Sequence, residues 1–99
     1  MQALRACTEK VFYMDLSDVT DRDGLQRLLR ETLPLPEYYG GSLDALYDVL
    51  TEHGSGWNII LYRYAGLERL QPKIFAGLKR VFQDAVLEVP GLRVRFFKG

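Results

Sequence analysis

The run Trp57-Asn58-Ile59-Ile60-Leu61-Tyr62-Arg63-Tyr64 sets the tightest limit on what this chain can become. Successive side chains of a strand point to opposite faces, so Ile59, Ile60 and Leu61 in a row predict a strand buried on both faces. Such continuous apolar runs are typical of parallel sheets covered on both faces. Two other segments read as strands. Val11–Leu16 (VFYMDL) is rich in β-branched and aromatic residues, and Leu92–Phe97 (LRVRFF) alternates apolar residues with Arg93 and Arg95. That alternation predicts an edge strand or a one-sided face.

Three helices are expected between them. The first opens at Thr20, with Asp23 three residues on as an acidic capping-box variant; Leu25, Leu28, Leu29 and Leu33 recur at helical spacing until Pro34 and Pro36 end it. The second is capped by Ser42, after Gly40-Gly41, and ends near His53-Gly54. The third starts at Pro72, a favoured first-turn residue, and stops at Pro90-Gly91. Its apolar face comprises Ile74, Phe75, Leu78, Val81, Phe82, Ala85 and Val86. The order strand, helix, helix, strand, helix, strand implies helical crossovers between parallel strands, right-handed by the usual rule. The fold class is α/β, a small single domain over residues 1–99 with a three-stranded parallel sheet packed with helices.

Composition bounds the function. The 13 basic and 13 acidic residues cancel, so no electrostatic surplus supports a general affinity for nucleic acid, and direct nucleic-acid binding is not expected. Cys7 is the single cysteine and has no evident histidine partner, which predicts a free thiol and no internal disulfide. The N-terminal residues do not read as a secretory signal, and no apolar run is long enough to cross a bilayer. A cytoplasmic, monomeric protein without membrane attachment is expected.

The stretch Leu35–Glu52 (LPEYYGGSLDALYDVLTE) breaks this even mixture, with four carboxylates, three tyrosines and no lysine or arginine. At 100° per residue, Leu43, Leu46, Val49, Leu50 and His53 share one arc. Tyr47 sits at its border, and Asp44, Asp48 and Glu52 run down the opposite side. Like charges four apart cost a few tenths of a kcal/mol per pair, which Asp44 partly recovers near the positive helix N-terminus. A solvated helix face explains such a stripe; so does a docking surface for a cationic partner. Tyr38, Tyr39 and Tyr47 favour the second, since tyrosine brings contact area and a hydroxyl. Gly40 and Gly41 let the backbone turn tightly and be approached closely. With Ser42, Asp44 and Asp48 these residues form an acidic, aromatic ridge. Glu52, a turn further on, is expected to lie away from the tyrosine loop.

The run Leu-Pro-Glu-Tyr-Tyr-Gly, one further residue, a polar cap, then Leu-Asp-Ala-Leu-aromatic-Asp resembles the barstar family of intracellular inhibitors of small secreted ribonucleases. The clearest resemblance covers Leu35–Leu50, and a second lies at Val81-Phe82-Gln83-Asp84-Ala85. It implies that Tyr38, Asp44 and Asp48 contact a barnase-like ribonuclease in a 1:1 complex, with Asp48 entering the phosphate-binding part of the active site. Asp84 falls on a further acidic contact position. The family's three-stranded parallel sheet agrees with the element order. The chain departs from the family's well-known pattern at Tyr47, Ser42 and Gly41, where tryptophan, asparagine and glutamate occur, and in its neutral net charge. A barstar-like module for some other cationic protein is the alternative.

No enzyme is expected. Neither a Gly-rich phosphate loop nor a paired His/Cys ligand set is present, and an exposed helix face is a poor place to tune carboxylates. No catalytic residues, metal or cofactor are assigned. His53 reads as a helix C-terminal cap or a partly buried histidine, and Trp57 as core. Arg63, Arg69, Lys73, Lys79 and Arg80 read as a loosely basic, solvated region.

Overall fold

The computed structural model describes residues 10–99; Cys7 and the N-terminal segment lie outside the described residues. The elements run β1 (Lys10–Asp15), α1 (Arg22–Thr32), α2 (Leu43–His53), β2 (Trp57–Tyr62), α3 (Ala65–Leu70), α4 (Pro72–Glu88) and β3 (Arg93–Phe97). The sheet order is β1-β2-β3, parallel throughout, with β2 in the centre and β3 at an edge. The small α/β fold expected from the sequence is therefore present.

The burial of β2 differs from the expectation. Trp57, Ile59 and Leu61 are buried, but Asn58, Ile60 and Tyr62 are only half-buried. The cause is topological. Strands laid down in sequential order with crossovers of one hand receive all their helices on one face. That face holds Phe12, Met14, Val94 and Phe96 beside the buried residues of β2. On the other face, Val11 and Tyr13 of β1 and Phe97 of β3 are exposed.

Local chemistry sets the boundaries. The N-cap of α1 is Asp21, not Thr20: its carboxylate accepts from the Gly24 N–H at 2.8 Å. An aspartate at the N-cap satisfies an orphan amide and favours the positive helix end. Strand β2 stops two residues earlier than expected because Arg63 adopts φ 55°, a left-handed turn. Its guanidinium meets Asp15 Oδ2 at 2.6 Å. The short α3, which carries the buried Leu67, was not visible in the sequence. It has no side-chain cap and contains Gly66 in its first turn, so it lacks the usual helix start signals.

The core is one cluster. Leu25, Leu29 and Leu33 of α1 and its C-terminal end meet Leu46, Val49 and Leu50 of α2, and Phe75, Leu78, Phe82 and Ala85 of α4, over the covered face of the sheet. Trp57 is core as expected, edge-on to Phe12 at 5.4 Å. Val86 lies at the rim, partly exposed, not on the buried face. Helices α2 and α4 approach closely at Gly77, where a Cβ would lie 2.9 Å from Leu43 Cδ1.

Candidate recognition ridge

Helix α2 starts where Ser42 accepts the Ala45 N–H at 3.0 Å. Before it, Gly41 takes φ 75°, where a Cβ would also fall 2.9 Å from Arg30 Nη2. Glycine suits Gly41 because its positive φ strains other residues, whereas the tip of the flexible Arg30 side chain can move aside. Gly40 has no such requirement; its open backbone lies near Ala45.

Asp44 and Asp48 are exposed on α2, with Tyr47 half-buried beside them. Asp84 of α4 faces the same notch, whose walls also include Leu43, Gly77, Arg80 and Val81. Three carboxylates from two helices thus line one notch. The side chain of Tyr47 packs against the core and lines the notch. Arg80 was expected in a solvated basic region. Its side chain is 84% exposed, solvated as expected, and it also lines the acidic notch, with Nε 4.0 Å from Asp84 Oδ2 across one helical turn. The i,i+4 spacing of Arg80 and Asp84 was the sequence signal for it.

The other basic residues do not form one region. Arg63 is tied to Asp15, and Lys79 lies over the Phe96 ring at 5.8 Å.

The two adjacent tyrosines have different fates. Tyr38 is 72% exposed, and its hydroxyl lies 3.5 Å from Glu52 Oε1. Glu52 is therefore beside the tyrosine loop, contrary to expectation, because the loop runs back along the helix. Tyr39 turns inward and is only 7% exposed, so its ring is not part of the surface ridge. Its hydroxyl donates to Gln26 Oε1 at 2.6 Å and lies 3.3 Å from the Ser42 carbonyl. The Arg30 guanidinium covers the ring at 5.3 Å. Burial raises the Tyr39 pKa above the ordinary tyrosine value, against the lowering effects of Gln26 and Arg30. Tyr39 pins the loop that presents Tyr38.

Gln26, 7% exposed, was missed by the sequence reading. A helical wheel places it about 20° from Leu33, at the edge of the apolar arc, and a buried amide there needs a polar partner. His53, read as a helix C-terminal cap or a partly buried residue, sits in the last turn of α2 and is exposed, 3.7 Å from Glu52 Oε1. The rim of buried α2 residues stops at Leu50, leaving His53 on the open last turn.

Compared with known families, the chain matches the model described as Barstar (barnase inhibitor) over residues 9–97. The chain belongs to the barstar family. That match spans every element of the fold and the whole of the ridge. No curated protein matches the chain. Membership in the barstar family carries, at family level, a barnase-type ribonuclease inhibitor role and a protein partner. Among the described residues no helix is long and apolar enough to cross a membrane.

Proposed function

We propose that the protein inhibits a small barnase-like ribonuclease by seating the α2–α4 ridge in its active site. The observation that carries this is the convergence of Asp44, Asp48 and Asp84 on one notch, from two helices. A ribonuclease active site gathers arginine, lysine and histidine to hold phosphate, and these repel one another when the site is empty. Carboxylates placed on the phosphate positions pair with those cations and exclude RNA. Arginine adds geometry, since it meets a carboxylate with two parallel hydrogen bonds. Asp48 enters deepest, alongside Asp44 and Asp84, and Tyr38 and Tyr47 supply aromatic contact. Gly40, Gly41 and Ser42 contribute backbone at the edge of the interface, whereas Tyr39 acts by holding the loop.

The inhibitor performs no catalysis, binds as a monomer in a 1:1 complex, and works in the cytoplasm as an immunity protein or antitoxin. Neutral overall charge gives little long-range attraction, so encounter depends on the field focused by the local patch.

Titrating the protein into a barnase-like ribonuclease tests the reading, with RNA cleavage as the readout. Activity should fall to zero near one equivalent, and Asp48→Ala should abolish this sharp end point. A second target class is favoured by one observation. Arg80 places a guanidinium among the carboxylates, which suits a cationic partner carrying an acceptor beside its cations. If ribonucleases are not inhibited, while another cationic protein binds in an Asp48-dependent manner, the surface serves that partner instead.

A further inference from the structure

The helix-free face of the sheet is a grid of three rungs. Val11 pairs with Asn58 and Asn58 with Arg93; Tyr13 with Ile60 and Ile60 with Arg95; Asp15 with Tyr62 and Tyr62 with Phe97. Side chains alternate along each strand, so all nine of these point away from the helices. Tyr13 is 64% exposed and Phe97 52%, a cost in uncovered aromatic surface that a small domain does not need for folding. The rings sit on opposite edge strands. Between them Tyr62 is overlaid by the Arg63 guanidinium at 5.3 Å.

The charge on this face is one-sided. Arg93 and Arg95 are exposed, and among the described residues neither takes part in an ion pair. The single carboxylate of the grid, Asp15, is engaged by Arg63. Hydrogen bonding to Ser17, foremost, and the nearby Arg63 hold its pKa below the ordinary aspartate value. The zero net charge is therefore a sum over two faces, carboxylates on the helical side and free guanidiniums on the sheet side. Asn58 Oδ1, on the Arg93 rung, is shut off from solvent without a hydrogen-bond donor.

Size narrows the occupant. Three strands about 4.8 Å apart and five residues long present a footprint of roughly 250 Å². Exposed rings set among free guanidiniums on a small flat face are what an unpaired nucleic-acid strand uses: its bases stack on the rings and its phosphates meet the cations. Sheet faces bind single-stranded RNA in this way in other folds. The exposed Tyr13 hydroxyl lies at the rim of this face, where a ribose 2′-hydroxyl, both donor and acceptor, can be met.

We infer that the open sheet face is a binding site for single-stranded RNA, with bases stacked on Tyr13 and Phe97 and phosphates held by Arg93 and Arg95. It lies on the other side of the sheet from the ridge, so it neither uses nor blocks the carboxylates.

The test is fluorescence anisotropy of a short labelled oligouridylate with the full chain, at low and then physiological ionic strength. Saturable binding is expected that weakens as salt rises. Tyr13→Ala or Phe97→Ala should each weaken it about tenfold, the scale of one lost base stack. The pair Arg93→Gln and Arg95→Gln should weaken it and flatten the salt dependence. Leu87→Ala, on the helical side and outside both surfaces, should leave RNA binding unchanged, and the deoxy oligomer of the same length should bind more weakly. Circular dichroism checks that the variants are folded, and the arginine pair tests the site separately should an aromatic variant fail to fold. Lack of saturable binding at low salt overturns the proposal. So does equal affinity for duplex RNA, equal affinity for the deoxy oligomer, indifference to the aromatic variants, or a self-association that Tyr13→Ala abolishes.

Discussion

Tyr39→Phe removes one oxygen, at the point where the recognition loop is fastened to α1. The hydroxyl donates to Gln26 Oε1 at 2.6 Å, and Gln26 is 7% exposed, so its oxygen loses its partner where water has little access. A hydrogen bond contributes about 1 kcal/mol net, and an abandoned buried acceptor costs about 1–3 kcal/mol. Taking about 1.5 kcal/mol, and an unfolding entropy of about 2.1 cal/mol/K for each of the 99 residues, the melting temperature should fall by about 7 °C. Gln26→Met should cost less, about 1 kcal/mol, because the Tyr39 hydroxyl keeps the Ser42 carbonyl at 3.3 Å. With both groups made apolar no orphan remains, so the double variant should be more stable than the sum of the singles implies. Thermal unfolding of the four proteins measures the cycle, and amide exchange over residues 40–42 reports whether the loop loosens first. A Tyr39→Phe melting temperature equal to wild type, or strictly additive losses, would refute the assignment of Tyr39 as the loop's anchor.

Four other outcomes are expected. Asp48→Ala should weaken ribonuclease inhibition by at least about 2 kcal/mol, Asp44→Ala and Tyr38→Ala by less and Glu52→Ala least, all with little change in melting, since each residue is exposed. Tyr47→Ala should cost on the order of 2 kcal/mol in the same inhibition titration, with a smaller loss of stability by denaturant unfolding. Gly41→Ala should destabilise by about 1–2 kcal/mol, through its φ of 75°, as read by denaturant unfolding. In an ultraviolet titration Tyr39 should ionise after the ordinary tyrosines. Its raised pKa means that the unfolded chain loses this proton first, so the stabilisation is complete below pH about 10 and is lost as pH rises through the folded value.

Much of the fold was legible because its signals are local. Ser42, Pro72 and the Gly54 and Pro90-Gly91 stops placed two helices nearly to the residue, and arginine alternation marked β3 as an edge. The open face of β2 was not legible. Apolar residues in succession report a wish for burial, whereas coverage depends on which side both crossovers fall. At the ridge, the α2 wheel gave the exposed Asp44 and Asp48, but geometry within one helix cannot say where a preceding loop runs. Hence Tyr39 was expected outside and Glu52 away from Tyr38, when the chain doubles back and reverses both. Arg80 is solvated as its sequence context implies and its pairing with Asp84 follows from i,i+4 spacing, but its place beside the carboxylates of α2 depends on packing between helices distant in sequence.

The contact of Gly77 with Leu43 has a consequence for how the protein persists in a cell. Asp84 joins Asp44 and Asp48 only when two helices distant in sequence are seated against each other, and the tyrosine loop is steady only when α1 is in place. A peptide copied from residues 35–52 therefore carries the motif without the binding surface. Target and fold are linked by mass action, since a ligand that binds only the folded chain stabilises it, by about 4 kcal/mol at a thousandfold excess over its dissociation constant. Chains holding their target unfold less often and outlast free ones under proteolysis, so the standing amount of this protein follows the amount of what it binds.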